Sequence, residues 1–346
     1  MMFDVAIVGA GLSGLSAAVH LEPVLRAAGK QIVLLDKGRA PGGRLATRRI
    51  EGHVFDHGAQ FFTVRSEEFR AQVETWNRAG IVEEWCRGFP GGGSADPGDS
   101  VGFSDGHPRY FCPRGMTALA KDLAARLPAG ALRLDQRVSA IRSIDGLWSI
   151  DCEGDGSLAA RQVLVTVPVV QAVPLFKDAA ISNACEKHAA SIGFDPCLAL
   201  MLVIDPDIAA AVFPAPGARR YDGEVLSWGA DNHRKGVSPL PGGITLHASP
   251  AFSLQHFDAD PATVTRMMLD ASGLPAKVLP AIWQLKKWRY ATPIHPVMDG
   301  FVTLDPGRSL HLAGDAFSGA RIEGAWVSGH AAAQFVAAAI VGRFKC

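Results

Sequence analysis

Short runs of consecutive apolar residues mark the start of the chain. Phe3–Val8 (FDVAIV) and Gln31–Asp36 (QIVLLD) are too short for helices and read as buried strands. A glycine-containing turn and a helical stretch from Leu15 to about Ala28 separate them. Pro23 is expected to end or kink that helix part way. Strand, turn, helix, strand makes a βαβ unit with parallel strands. Residues 65–87 read as helix, 88–108 as a loop rich in Gly, Pro, Ser and Asp, and 114–127 as helix again. Residues 132–144 and 147–152 read as strands joined at Asp145-Gly146, a hairpin signal, and 162–167 as a buried strand stopped by Pro168. From about residue 176 the pattern changes to strands at 197–204, 223–229 and 243–248 between proline-rich loops. Helices are expected near 261–271 and 275–282. After Pro296 the first character returns, with a strand at 310–313 and a long helix over 325–342. No internal repeat is visible.

Composition narrows the class. A length of 346 residues suggests about two domains, and 48% hydrophobic with 20% charged residues is the balance of a soluble globular protein. Lys+Arg and Asp+Glu are both 34, which argues against a nucleic-acid binder and against a polybasic membrane anchor. The six cysteines include no CxxC pair, so neither a metal site nor a disulfide framework is expected, and a reducing, cytoplasmic compartment is the simpler reading. Met1-Met-Phe-Asp-Val5 lacks the basic start of a signal peptide, and the apolar stretch Ala331–Val341 is too short to span a bilayer.

The first chemical motif is Gly9-x-Gly11-x-x-Gly14, set between a strand and a helix. Its glycines permit a tight turn, a close approach to a pyrophosphate and close packing of helix on strand, while the helix N-terminus favours the phosphate charge. Asp36 ends the second strand where a carboxylate can accept hydrogen bonds from ribose hydroxyls. The residues expected to hold a dinucleotide here are Gly9, Gly11, Leu12, Ser13, Gly14, Asp36 and Lys37.

Three further segments specify which dinucleotide. Gly42-Gly43-Arg44, Asp56-His57-Gly58-Ala59-Gln60, and Leu312-Ala-Gly314-Asp315 with Gly324-Ala325-Trp326-Val327 resemble the signature segments of the flavin amine oxidase superfamily. LHASP (246–250) and KWRYATP (287–293) resemble its renalase branch more narrowly, particularly the bacterial members, and the match runs over nearly the whole chain. The resemblance implies an α/β protein with a Rossmann-type FAD-binding domain, of the glutathione-reductase and amine-oxidase kind, and a mixed α+β substrate domain. It divides the chain into FAD-binding parts at 1–80, 111–175 and 291–346, a helical and loop insert at 81–110, and a substrate domain at 176–290. It implies that Gly43, Arg44, His57, Gly58, Ala59, Gln60, Val138, Gly314, Asp315, Gly324, Ala325, Trp326 and Val327 also contact FAD. Arg44 would meet the pyrophosphate, a task its planar fork suits. Asp315 would hold the ribityl or phosphate end. With no cysteine near Gly319-Ala320, the FAD would be non-covalent. Arg48 and Arg49 read as solvated.

The renalase resemblance implies oxidation of the 2- and 6-dihydro isomers of NAD(P), with hydride passing to flavin N5 and O2 reduced to hydrogen peroxide. The pocket residues expected are Gln60, His247, Trp288 and Tyr290. His247 and Tyr290 would bond the carboxamide or ribose, and Trp288 would pack on the ring. Each has a plain packing alternative, since Trp288 and Tyr290 share a strand face and can simply fill core. An amine oxidase of the same fold is the alternative. Against it stand the absence of lysine over Phe194–Ile204 and the presence of only three tyrosines in the chain. A non-catalytic FAD- or NAD-binding protein is the reading from another class.

Overall fold

The computed structural model describes residues 1–89, 106–154, 156–280, 282–305, 307 and 309–342. The expected loop at 88–108 falls mostly outside the described residues. The chain forms two compact units, one of Met1–Gly43, Leu119–Gly193 and Pro293–Cys346, the other of Arg44–Ala118 and Phe194–Thr292.

The first unit is built on an eight-stranded sheet. Met2–Val8 lies at its centre, parallel to Gly156–Val165 on one side and Ile32–Leu35 on the other. Leu310–Ala313 extends the sheet beyond Gly156–Val165, and Leu132–Arg133 beyond Ile32–Leu35, both in parallel. Val5, Ala6, Ile7, Val163, Leu164 and Val165 are wholly buried, as a parallel sheet covered on both faces demands. The helices Leu12–Ala27 and Ile322–Ile340 pack together. Ser16 Oγ donates to the Trp326 carbonyl at 3.0 Å, and a Cβ added at Gly329 would stand 2.0 Å from the Ser13 carbonyl oxygen. The expected hairpin turn is present, with Asp145 and Gly146 both at positive φ.

Pro23 neither ends nor breaks the first helix. Its ring is on the exposed side, and buried Leu21 and Leu25 anchor the turns before and after it, so burial outweighs one lost backbone bond. Ala179–Ile192 is a helix that the sequence pattern did not reveal, capped where the Asp178 carboxylate accepts from Ala180 N at 2.9 Å.

The second unit carries a five-stranded sheet in the order Ala218–Arg220, Leu226–Asp231, Gly243–Ala248, Phe194–Val203, Ile282–Pro293. One face bears Leu198, Leu200, Leu202, Ile244 and Leu246 and buries them against Phe252, Val264 and Met268. The alternate residues Ala199, Met201, Thr245 and His247 face the other way, with Ala199 directly opposite His247.

Two expectations fail in this unit. The helix expected over 65–87 is Glu67–Arg78, followed by a strand at Glu83–Cys86. Ala79-Gly80 stops it, as Ile81 N returns to Trp76 O and Gly80 N to Asn77 O. The helix expected at 275–282 does not form. Pro275 and Pro280 lie too close to leave room for helical turns, and the chain enters the edge strand at Ile282 instead.

Candidate active site

In the first unit, Gly11 precedes the helix Leu12–Ala27 and supplies no side-chain cap, which leaves the N–H groups of Leu12 and Ser13 open at the helix start. Gly14 has no room for a side chain, since its Cβ would stand 1.9 Å from the Gly9 carbonyl oxygen. At Gly11 the same construction meets nothing within 4 Å. The glycine turn thus packs tightly on one side and is open on the other. Gly42 N donates to Ala10 O at 2.8 Å, which sets the Gly42-Gly43 turn against the glycine loop. Asp36 accepts from Ala10 N at 2.6 Å and from Gly38 N at 2.7 Å. These bonds hold the loop to the strand end, and a carboxylate keeps acceptor capacity for a further donor. Lys37 beside it is exposed.

Val138 opens the strand Val138–Ile144, paired with Cys152. Gly314 N donates to Ser328 Oγ at 2.7 Å, and Asp315 is buried. The last helix begins at Ile322, so Gly324, Ala325, Trp326 and Val327 form its first turns. Trp326 is buried against His20 and His330, both in this unit.

In the second unit the turn after the strand His53–Asp56 gathers most of the expected pocket residues. His57 N donates to Ala46 O at 3.1 Å and Ala59 N to Arg44 O at 2.9 Å. Gly58 fits only without a side chain, because its Cβ would meet the Arg44 carbonyl oxygen at 2.0 Å. Gln60 Nε2 donates to Asp56 O at 2.6 Å and to Gly58 O at 3.2 Å, and lies 3.5 Å from His247 Nε2. Trp288 Nε1 donates to His57 O at 2.9 Å, and the two rings stack with centroids 5.4 Å apart. Gln60, His57, His247 and Trp288 therefore form one cluster. Tyr290 packs edge-on against Phe194, at 6.0 Å between centroids. Arg44 donates to Ala291 O at 2.9 Å, which ties the turn to the strand that carries Trp288 and Tyr290.

Both imidazoles of the cluster are uncharged at neutral pH. Burial pushes His57 down to about 4, and the Lys286 ammonium adds to the effect. Burial pushes His247 down to about 4 as well, with the neighbouring His57 next in weight.

The support beneath the turn was not anticipated from the sequence. Asp56 and Lys235 form an ion pair at 2.9 Å in which neither side chain is exposed to solvent. Asp56 also accepts from Thr47 Oγ1 at 2.7 Å and Met116 N at 2.8 Å, while its backbone carbonyl accepts from Thr245 Oγ1 at 3.1 Å. Lys235 Nζ lies 5.2 Å from the Trp85 ring centroid. A lysine in the polar run Asp231-Asn-His-Arg-Lys235 reads as surface, and only the fold shows it buried.

Comparison with known proteins decides the class. Residues 7–76 match the NAD(P)-binding Rossmann-like domain, and residues 97–337 match the flavin-containing amine oxidoreductases. The chain belongs to the flavin-containing amine oxidoreductase family. As a member of this family it is an FAD-dependent oxidoreductase with a Rossmann-like nucleotide-binding domain and an amine oxidase domain. The fold is similar to that of a putative protoporphyrinogen oxidase from Exiguobacterium sp. 255-15, with a TM-score of 0.72 at 14% identity over 97% of this chain and 98% of that one. Putrescine oxidase bound to putrescine gives 0.71 at 16% identity, over 98% and 99%. Cyclohexylamine oxidase from Brevibacterium oxydans IH-35A gives 0.69 at 16% identity, over 99% of each chain. Among the described residues no helix is long and apolar enough to cross a membrane, and no group of His, Cys, Asp and Glu is arranged to hold a metal ion.

The residues of this flavin-containing amine oxidoreductase fit FAD. The open side of Gly11 accommodates a phosphate at an uncapped helix N-terminus. Ser13 Oγ and Gln60 Oε1 are buried with no hydrogen-bond partner among the described residues, which is costly unless a ligand supplies one.

Proposed function

We propose that this flavin-containing amine oxidoreductase oxidises isomeric dihydronicotinamides, the 2- and 6-dihydro forms of NAD(P), to NAD(P)+. The observation that carries the reading is the uncharged, flat character of the Gln60–His57–His247–Trp288 cluster. A dihydropyridine gives up a hydride without prior loss of a proton, so it needs a stacking surface and neutral hydrogen-bonding groups. Trp288 provides the first, and Gln60 and His247 the second. Tyr290, on the same strand as Trp288, extends the pocket wall in this reading. FAD, held without a covalent link, supplies the two-electron acceptor, and dioxygen with a proton finally takes the pair as hydrogen peroxide. Gly9, Gly11, Leu12, Ser13, Gly14, Asp36 and Lys37 would hold its adenosine diphosphate half, with Val138 at the adenine. Arg44, Gly58, Ala59, Asp315 and Gly324 through Val327 would hold the remainder.

A small amine is the second reading, favoured by the family match. Such a substrate arrives as an ammonium ion and must shed a proton before oxidation. Imidazoles that titrate near 4 are poor bases for that step, and the strand Phe194–Val203 contains no lysine. Anaerobic stopped-flow mixing separates the two. The flavin band is expected to bleach with 2- and 6-dihydroNAD(P), and not with putrescine, cyclohexylamine or ordinary β-NADH. Bleaching by amines alone overturns the proposal. Bleaching by none of these reductants points to a non-catalytic protein.

A further inference from the structure

Two cations stand close to the cluster. Lys286 Nζ stands 5.3 Å from the centroid of the Trp288 ring, the ring that stacks on His57. Arg48 approaches from a second element. It lies opposite Phe55 in the ladder between Thr47–Ile50 and His53–Asp56, and the bond from His57 N to Ala46 O continues that ladder. Residues two apart along a strand share a face, so Arg48 stands diagonally beside His57. Lys286 and Arg48 both press the His57 imidazole toward its neutral form, against the Asp56 carboxylate, which presses the other way.

Neither cation is compensated. Arg48 and Lys286 are exposed, and among the described residues no carboxylate pairs with either. Asp56, the nearest acid in the chain to His57, is committed to Lys235, Thr47 and Met116. Asp258 pairs with Arg289, whose guanidinium packs over Phe257 in the core on the other face of the sheet. Two unpaired cations flanking an uncharged aromatic cluster repel an ammonium substrate and attract an anionic one.

We propose that Arg48 and Lys286 are specificity-determining residues that grip the phosphates of a nucleotide substrate. The inference rests on the dihydronicotinamide reading and narrows it to a preference for phosphorylated forms, which should saturate the enzyme at lower concentration than the free base or the riboside. Arg48 offers a planar fork suited to two phosphate oxygens, and Lys286 a point charge beside the ring on which the pyridine would stack.

The test separates binding from turnover. ADP-ribose, which carries the pyrophosphate and no reducible ring, is titrated into the flavin-loaded enzyme and followed by tryptophan emission. Arg48→Gln and Lys286→Gln are each expected to weaken its Kd about fivefold to tenfold, and the double variant about 30-fold or more. The salt dependence of binding should flatten in the double variant. Lys187→Gln, on a helix of the other unit, serves as the control and is expected to match wild type. In parallel, anaerobic reduction by 6-dihydroNAD should require more substrate in the double variant. Reduction by the phosphate-free 6-dihydronicotinamide riboside should show the wild-type concentration dependence. A double variant that binds ADP-ribose within twofold of wild type overturns the proposal, as does wild type that fails to bind it. Equal losses for the riboside and the dinucleotide overturn it too, by showing damage to the ring pocket. If ADP-ribose binding follows the cations while only amines bleach the flavin, the phosphate grip stands and the dihydronicotinamide reading falls.

Discussion

Lys235→Met tests whether the buried ion pair supports the turn that carries His57 and Gln60. The substitution keeps most of the side-chain volume and removes the ammonium. Asp56 then keeps Thr47 Oγ1 and Met116 N as donors but loses the only cation that touches it among the described residues, with no access to water. Removing one partner of such a pair costs about 3–5 kcal/mol, because the other charge stays buried and uncompensated. Loss of the ammonium beside the Trp85 ring adds roughly 1 kcal/mol. At about 2–4 °C per kcal/mol for a unit of this size, the melting temperature should fall by roughly 10 °C or more. Scanning calorimetry of the flavin-loaded protein reads the shift, and urea unfolding checks it. Lys235→Met/Asp56→Asn removes both charges and should recover more than half of the loss. A single variant within about 2 °C of wild type would show that the pair contributes nothing and would refute the reasoning.

The same cluster yields a pH dependence. His57 and His247 titrate near 4, below their ordinary value of 6.5, so the unfolded chain takes up protons that the folded chain refuses. Folding stability is therefore fully present above pH 6.5 and should decline as pH falls from there to about 4, by up to about 3 kcal/mol per ring. Urea midpoints across that range measure it, and a His247→Gln variant with an equally steep profile counts against the assignment. Gly58→Ala places a Cβ 2.0 Å from the Arg44 carbonyl oxygen, so it should displace the turn and reduce bound flavin, read as the ratio of visible to ultraviolet absorbance. Trp288→Leu removes both the bond to His57 O and the stacking face, and should raise the half-saturating concentration of 6-dihydroNAD about tenfold. Wild-type saturation in that variant would remove Trp288 from the pocket.

Local chemistry was the legible part of this chain. Gly14 and Gly58 announce themselves because a side chain there would run into backbone, Gly9 and Gly42 because they sit at positive φ, and Gly11 because it leaves the turn open, while the apolar run Phe3–Val8 announces a buried parallel strand. His247 and Trp288 were found through short segments rather than through any spacing to Gln60, from which they lie 187 and 228 positions away. The Lys235–Asp56 pair was invisible for a different reason. Burial of a lysine is a tertiary property, and 179 residues separate it from its partner. Arg48 read as a solvated side chain, and it is indeed exposed. Its neighbourhood to His57 depends on hairpin register, which the sequence pattern does not specify. The helix expected at 275–282 fails for a local reason, because Pro275 and Pro280 leave too few residues between them for helical turns.

The sheet of the first unit has a consequence for the order of events during synthesis. Its centre, Met2–Val8, is made first, yet its neighbour Gly156–Val165 emerges about 150 residues later, and Leu310–Ala313 about 150 after that. Until the last of these arrives, Val163, Leu164 and Val165 present a bare apolar edge able to pair with another chain. The first helix likewise waits for the last, since Ser16 and Ser13 meet their partners only at Trp326 and Gly329. The nascent protein must therefore hold its nucleotide-binding half open until Leu310–Ala313 and the last helix have been made. Chains arrested before Leu310 should be readily cleaved within residues 2–35 and prone to aggregate, whereas the complete chain resists protease there.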